Sequence, residues 1–281
     1  MPTLNDYRDR EHHSFSSINQ FINICSLQYA FQRLYKVPKA FTPVSLVFGG
    51  IFHRVMEWVS LSRREETVKP ADAAALFMDL WSRGLKEEQD IKYDDGMKPH
   101  DYAQQGGDMV ACAVEHLDPE ERVVGVNEVF AVPLMGSDGT VSEKPLVGEI
   151  DLVVERGAGR TLVDYKTAGR RWPREQAAKS LQPTVYVYAY QQQHGLAVPF
   201  RFDVVVKNKT PVYEQHVTQR TADDFNRLAV LTKRIESMIE AGHFLPSEQG
   251  FYCAGCPYQD ACKAWHRNQG RTVSLPGRRA A

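Results

Sequence analysis

Residues 146–166 read LVGEIDLVVERGAGRTLVDYK, and this stretch decides the fold. Two runs rich in Val, Leu and Ile, at 146–155 and 161–165, are separated by a turn with two glycines. Apolar runs around a glycine turn predict neighbouring strands of one sheet. Asp151 interrupts the first run and Asp164 lies in the second directly after Val163, so the stretch also predicts two carboxylates close together.

The same signals predict further strands and helices on both sides of this hairpin. Residues 123–134 would complete a three-strand meander, and 202–207 and 212–218 are strands around the turn at 208–211. Helical periodicity and capping signals predict helices over residues 17 to 37, 45–62, 71–88, 102–117, 181–193 and 222–241. This order of elements indicates an α/β fold that follows a helical first part.

Composition excludes several classes of protein. The 281 residues are 43% hydrophobic and 25% charged, as in a globular chain with a real core, and a net charge of −1 excludes a polycation that binds nucleic acid over its whole surface. The polar N-terminus lacks the apolar run of a secretory signal, and the charge-free stretch 180–200 is too polar to span a bilayer. We therefore expect a cytoplasmic protein without membrane contact.

The two carboxylates favour a divalent metal ion. A carboxylate within an apolar strand is partly desolvated, so it needs a cation or hydrogen bonds. Oxygen ligands from Asp151 and Asp164 suit Mg²⁺ or Mn²⁺. Lys166, two residues after Asp164, points to the same side of the strand and would face the metal.

The alternative is that Asp164 and Lys166 form an ion pair on a solvated strand face. The chain offers an internal comparison, because residues 90–92 have the same Asp-Ile/Tyr-Lys pattern within a polar run. There a solvated surface is the better interpretation. The copy at 164–166 differs because it follows a second strand that contains Gly148 and Asp151.

Five cysteines in a reducing compartment indicate metal or cluster ligation rather than disulfides. Three of them follow the spacing Cys-x2-Cys-x5-Cys near the C-terminus, and one lies far away near the N-terminus: Cys253, Cys256, Cys262 and Cys25. On their own, these residues suggest structural zinc as readily as an iron–sulfur cluster. Cys112, between two alanines of a helical pattern, is most simply a small apolar residue.

Together, these motifs resemble the PD-(D/E)xK nuclease superfamily, in particular its RecB-like branch with an iron–sulfur cluster, which includes CRISPR-associated exonucleases and AddB-type nuclease domains. Gly49-x-x-x-His53, Gly148-x-x-Asp151, Asp164-Tyr165-Lys166 and Gln182-x-x-x-Tyr186 match its motifs. The resemblance implies His53, Asp151 and Asp164 as metal ligands, the Tyr165 carbonyl as a fourth, and Lys166 as the residue that orients the water. It implies that Gln182 and Tyr186 position the lysine and the phosphate, although Pro183 departs from the pattern and could turn Gln182 away.

The resemblance also implies a 4Fe–4S cluster on Cys25, Cys253, Cys256 and Cys262, in addition to Mg²⁺ or Mn²⁺. The fold would be a restriction-endonuclease-like core, a central mixed β-sheet flanked by helices, with an N-terminal helical region and a C-terminal cysteine-rich segment that closes on the cluster. We expect a flexible N-terminus at 1–15, a single nuclease domain at 16–266 made of a helical part 16–120, a catalytic sheet core 121–220 and a cluster segment 221–266, and a flexible tail at 267–281.

The activity implied is a metal-dependent DNA nuclease, an exonuclease on single-stranded ends in repair, recombination, phage or CRISPR processes, with protein partners from such complexes. A basic stretch after the lysine strand, Arg170, Arg171, Arg174 and Lys179, suits contacts to the DNA backbone. One alternative is a catalytically silent DNA-binding or scaffolding subunit, against which the intact motif residues count. Another is a zinc-stabilised interaction protein.

Overall fold

A helical first part precedes a sheet with its own helices. The computed structural model describes residues 3–88, 90–250 and 252–268. In chain order the helices are α1 (Leu4–Arg8), α2 (Phe15–Asn19), α3 (Ser26–Tyr29), α4 (Val44–Ser62), α5 (Pro70–Glu87), α6 (Pro99–Glu115), α7 (Gln176–Lys179), α8 (Gln182–His194), α9 (Ala222–Glu240) and α10 (Gln259–Arg267). The strands are β1 (Thr42–Pro43), β2 (Ile91–Lys92), β3 (Arg122–Val132), β4 (Leu146–Arg156), β5 (Gly159–Ala168), β6 (Phe200–Val206) and β7 (Val212–Thr218).

The five long strands form one mixed sheet in the order β3-β4-β5-β6-β7. β5 and β6 run parallel, whereas every other neighbouring pair is antiparallel. A parallel pair needs a crossover connection, and α8 lies in it. The prediction of an α/β fold with a mixed central sheet flanked by helices is confirmed.

One face of the sheet packs against α4, α5 and α6. Their core is aromatic: Phe48 and Phe77 have ring centroids 5.3 Å apart, and Trp81 stacks on Tyr102 at 5.6 Å. Gly106 lets α6 approach α5 closely, because a Cβ atom there would lie 1.9 Å from the Phe77 ring. This face therefore holds α4 firmly against the strands.

The other face packs against α8, α9 and the N-terminal helical region. Phe200, Phe202 and Val204 of β6 are fully buried there with Leu228 of α9. β6 is buried along its whole length, as expected of a central strand that is covered on both faces. The two cores thus fix the sheet between two helical layers.

The predicted helix from Ser17 to Pro38 is broken at Cys25, whose backbone is extended with φ −171° and ψ 119°. Two π-helical turns, Gln20–Ile24 and Ala30–Leu34, lie on either side of α3. The break has a tertiary cause, because the N–H of Leu27 donates to the Leu245 carbonyl at 3.2 Å instead of completing a helical bond. The prediction of one continuous helix is wrong at this point.

The predicted boundary of the domain at residue 16 also differs from the structure. The N–H of His13 donates to the Pro145 carbonyl at 2.9 Å, and the N–H of Val147 donates back to the His13 carbonyl at 2.7 Å. The His13 ring is buried and lies 2.7 Å from a carboxylate oxygen of Glu236. The N-terminal segment, expected to be flexible, is therefore fastened to β4 and α9.

Two features of the structure are not predicted by the sequence patterns: the β1–β2 pair and α10. The parallel pair of β1 and β2 is too short to show a strand period. α10 forms within the cysteine-rich segment, where little periodicity was expected. Residues 269–281 of the expected flexible tail lie outside the described residues.

α4 is the one helix, within the ranges that the structure describes, that is long and apolar enough to cross a membrane. Its buried residues include Phe48, Phe52, Val55 and Val59, which pack in the core under the sheet. A core helix meets the same criteria of length and composition as a membrane span.

A buried ion-pair network includes Arg201 and Asp203, which lie on either side of Phe202 in β6. Arg201, with a side chain 9% exposed, donates to the fully buried Asp203 at 2.7 Å and to Glu121 at 3.0 Å. Removing the cation from such a network leaves buried carboxylates without compensation.

We predict that Arg201→Leu lowers the free energy of unfolding by about 3–5 kcal/mol, measured by urea denaturation. Arg122→Leu is the matched control, because Arg122 pairs with Glu155 from a side chain that is 70% exposed. It should change stability by about 1 kcal/mol or less. Equal effects of the two variants would contradict a structural role for the buried network.

Candidate active site

The two predicted carboxylates lie where β4 and β5 separate. The pairing of these strands ends at Leu152 and Val163, and Asp151 and Asp164 are the next residues along each strand. Beyond that point β4 pairs only with β3, and β5 pairs only with β6. The carboxylates therefore flank a fork in the sheet, where no interstrand hydrogen bonds fill the space between them.

Asn127 of β3 marks the same level of the sheet. Its register position, between Val126 and Glu128, is opposite Asp151. It has a φ of +50°, a left-handed conformation that costs energy in a strand but that Asn tolerates better than most residues. Strained backbone of this kind concentrates at functional sites.

Asp164 is the most deeply buried group of the site, with a side chain 2% exposed. The Gln182 amide donates to its Oδ1, and the Lys166 ammonium lies against its Oδ2. Burial raises the pKa of Asp164, and the charge of Lys166 partly offsets that effect. The carboxylate is thus held by two side chains from two different elements.

Asp151 is paired with His53 across the fork. The Nδ1 atom of His53, on α4, lies 2.9 Å from Oδ2 of Asp151. Burial lowers the pKa of His53, but the close contact with Asp151 and the charge of Asp151 outweigh burial and raise the pKa above its usual value. α4 and β4 therefore bring an imidazole nitrogen and a carboxylate to the same place.

His53 and Asp151 line a cavity of about 280 Å³. Its polar lining residues are His53, Arg54, Glu57, Ser60, Asn127, Glu149, Asp151 and Tyr165. Burial, followed by the charges of Asp151 and Glu57, raises the pKa of Glu149. The cavity concentrates negative charge, so it favours a cation.

Lys166 and its sequence counterpart Lys92 occupy different surroundings. Lys166 pairs with a buried carboxylate, and its Nζ lies 5.7 Å from the centroid of the Phe202 ring. Lys92 is exposed and lies 4.7 Å from the Phe41 ring. No ion pair of Lys92 occurs within the described residues. The structure therefore separates the two Asp-x-Lys tripeptides as their sequence context predicts.

Gln182 and Tyr186 both face the site from α8. Pro183 occupies the first turn of α8, where a proline costs no helical hydrogen bond, so Gln182 is buried and reaches Asp164. The expectation that Pro183 could turn Gln182 away is wrong. Tyr186 contacts Phe130 edge-on, and burial and then the charge of Asp164 raise its pKa well above the usual value.

Tyr165 differs from its neighbours because its side chain points to the opposite face of the sheet. Its ring and its hydroxyl are buried in the core beside α4. Only its carbonyl is therefore left as a candidate metal ligand.

The donor set at the fork fits a divalent cation. Across residues 3–88, 90–250 and 252–268, no three His, Cys, Asp or Glu side chains converge as a preformed metal centre. However, Oδ2 of Asp151 and Oδ2 of Asp164 are buried without hydrogen-bond partners, although His53 and Lys166 approach them at ion-pair distance. Such oxygens are costly without a cation, and they are ligands that Mg²⁺ and Mn²⁺ prefer.

The four predicted cluster cysteines line a second cavity of about 340 Å³: Cys25, Cys253, Cys256 and Cys262. Leu27, Phe31 and Tyr258 form part of its apolar wall. Burial and then the neighbouring cysteines raise the pKa of Cys262. Cys112 lies elsewhere, with its thiol 3.6 Å from the Pro211 carbonyl. The four thiols suit a thiophilic metal, and both zinc and an iron–sulfur cluster meet that description.

Glu149 and Glu57 also line the candidate site, although the sequence motifs do not include them. Glu149 precedes Asp151 by two residues, and Glu57 follows His53 by one helical turn. These spacings place each of them on the same side of its element as the motif residue, which is a signal that could have found them.

The basic stretch after β5 is exposed, but two of its four cations are already paired. Arg171 lies 3.3 Å from Glu214, and Lys179 lies 3.6 Å from Glu175. For Arg170 and Arg174, no carboxylate of the described residues lies within ion-pair distance. Those two arginines remain available to an anionic ligand.

Comparisons with known proteins agree with this geometry. The sequence model of the PD-(D/E)XK nuclease superfamily matches residues 12–263. The crystal structure of the "Putative exonuclease" from Eubacterium rectale aligns with 91% of this chain and 93% of its own, with a TM-score of 0.54 and 13% identity, which shows a common fold. The structure of SSO0001 aligns with 93% of this chain and 92% of its own, with a TM-score of 0.41 and 10% identity. No curated protein matches significantly. Because the superfamily match spans most of the chain and includes every residue at the fork, the protein belongs to the PD-(D/E)XK nuclease superfamily.

Proposed function

We propose that this nuclease is a metal-dependent deoxyribonuclease that acts on single-stranded DNA ends. The observation that supports it best is the pair of buried carboxylate oxygens at the fork, Oδ2 of Asp151 and Oδ2 of Asp164, which His53 and Lys166 approach at ion-pair distance.

The proposed ligands are Asp151, Asp164, His53 and the carbonyl of Tyr165. Bound there, Mg²⁺ or Mn²⁺ would polarise the scissile phosphate and lower the pKa of a water molecule. The Gln182 amide occupies Oδ1 of Asp164, which leaves Oδ2 beside Lys166.

Lys166 and Tyr186 would act directly on the reacting groups. The ammonium of Lys166, held by Asp164 and the Phe202 ring, would orient the attacking water and balance developing negative charge. The raised pKa of Tyr186 keeps its phenol protonated at neutral pH, so it can donate a hydrogen bond to a phosphate oxygen. Both roles need positions at the fork that the sheet and α8 fix.

DNA as the substrate is supported by basic residues beside the site, and the preference for a single-stranded end follows from the resemblance of the motifs to the RecB-like branch. Arg170 and Arg174 follow the lysine strand directly and are exposed, which suits contacts to phosphates rather than to bases. The fold is also that of the "Putative exonuclease" from Eubacterium rectale.

We also propose that the second cavity binds a 4Fe–4S cluster. The support is that four cysteines from two distant parts of the chain line one largely apolar cavity, with the spacing that the resemblance associates with such a cluster. Cluster ligation would fasten the broken N-terminal helix to the segment around α10. It would thereby stabilise the fold in the manner of other structural metal sites.

We predict that Lys166→Ala reduces DNA cleavage roughly a hundredfold or more, the loss expected for one transition-state donor. Lys166→Gln should be similarly impaired while it keeps a hydrogen-bond donor beside Asp164, which guards against a folding defect. The rates are measured with manganese on end-labelled DNA.

Lys92→Ala is the control for the lysine variants, because it removes the exposed lysine of the other Asp-x-Lys tripeptide. It should cleave at the wild-type rate. If Lys166→Gln were as active as Lys92→Ala, Lys166 would have no part in catalysis.

A linear single strand should be degraded faster than the same sequence in duplex form, with little sequence preference. The physical reason is that contacts to phosphates carry no sequence information. Circular single-stranded DNA of the same sequence is the control and should resist if ends are required. Rapid cleavage of the circle, or cleavage at one defined duplex site, would refute this substrate.

Protein purified without oxygen should contain about four irons per chain and absorb broadly in the visible range. Cys256→Ala should lose iron and lower the melting temperature, whereas Cys112→Ala should retain the iron. Iron analysis and calorimetry measure both effects. Stoichiometric zinc without iron or sulfide in wild-type protein would exclude the cluster.

A further inference from the structure

Gln28 contacts two of the four cysteines that line the second cavity. Its backbone N–H donates to Sγ of Cys25 at 3.4 Å, and its side-chain amide donates to Sγ of Cys256 at 3.3 Å. Gln28 therefore contacts one cysteine sulfur from the N-terminal part of the chain and one from the C-terminal part.

The amide of Gln28 is held in turn by a polar chain of side chains. Gln20, which is 6% exposed, donates from Nε2 to Oε1 of Gln28 at 3.1 Å and to Oε1 of Gln32 at 2.7 Å. Oε1 of Gln20 accepts from Nε of Arg33 at 2.9 Å. The chain thus runs from a guanidinium through two amides to a cysteine sulfur.

This arrangement determines which way each amide faces. A guanidinium has only donors, so the oxygen of Gln20 must turn toward Arg33 and its NH₂ group toward Gln28. The oxygen of Gln28 must then accept that bond, and its own NH₂ group is left facing Cys256. A donor, rather than an acceptor, is therefore directed at the sulfur.

The break at Cys25 makes these contacts possible. In a continuous helix, residues eight positions apart are separated by about 12 Å along the axis, so Gln20 could not reach Gln28. The extended backbone at Cys25 turns the two helical segments toward each other around the buried Gln20 amide. π-helical turns like the two that adjoin α3 occur frequently at functional sites.

We propose that Gln28 is a positioning residue that donates hydrogen bonds to two cluster-ligating sulfurs and thereby raises the reduction potential of the cluster. This inference rests on the proposed cluster. Hydrogen bonds to ligand sulfurs stabilise negative charge there, and they are one of the ways in which proteins set cluster potentials. Reduction by one electron from dithionite adds one negative charge, so a donor near sulfur favours the reduced form.

The experiment compares Gln28→Leu with Gln32→Leu in anaerobic, full-length protein. Both variants remove an amide that accepts from Gln20, but only Gln28 contacts a cysteine sulfur. Any general loosening of the helix pair should therefore affect both variants alike. Dithionite titrations followed by visible absorbance give the midpoint potentials, and iron release to a chelator gives a second readout.

Gln28→Leu should lower the midpoint potential and release iron about fivefold faster, the equivalent of about 1 kcal/mol from one lost hydrogen bond. Gln28→Glu should lower the potential further, because it places a negative charge beside the sulfur. Gln32→Leu should keep the wild-type potential. The midpoint potential of Arg33→Met should lie between those of Gln28→Leu and Gln32→Leu, because without the guanidinium the Gln20 amide is no longer held in one orientation.

The outcomes separate the two proposals. Iron and sulfide in the wild type, together with equal potentials in Gln28→Leu and Gln32→Leu, would overturn the role of Gln28 and leave the cluster in place. A wild type without iron and sulfide would overturn the cluster itself, and the role of Gln28 with it. A lower potential in Gln28→Leu alone would support both.

Discussion

The rest of the structure depends on the separation of β4 from β5 after Leu152 and Val163. Each strand keeps one partner beyond that point, so the sheet stays intact while a gap opens inside it. A carboxylate at such a gap lacks the cross-strand neighbours that would otherwise cover it. The helices therefore bury Asp164 and partly bury Asp151, while the gap between the strands leaves room for a ligand, a combination that a regular hairpin could not provide.

The two helical layers then fix the gap from opposite sides. His53 reaches Asp151 from α4, whose position is set by the aromatic core shared with α5 and α6. Gln182 reaches Asp164 from α8, which packs on the other face. Since each carboxylate is held by a different core, the distance between them depends on the packing of the whole domain rather than on a local loop.

The sequence predicts those parts of the structure that depend on local patterns of residues. The strands around Asp151 and Asp164 have apolar runs and glycine turns, and the cysteine spacing is visible directly. The break at Cys25 could not be predicted, because apolar residues continue at helical spacing through it and its cause is a bond to Leu245, far along the chain. The left-handed backbone of Asn127 could not be predicted either, because it does not change the composition of the strand.

The contact between Gln28 and Cys256 spans 228 positions of the chain, nearly its whole length. A ribosome that adds roughly 5–20 residues per second needs roughly 10–45 s to travel that distance. Throughout this interval the broken N-terminal helix has left the exit tunnel without the segment that covers it. The apolar side of this helix stays uncovered on the nascent chain until the segment around Cys256 is made. The order of synthesis therefore makes the cysteine cavity the last part of the domain to close.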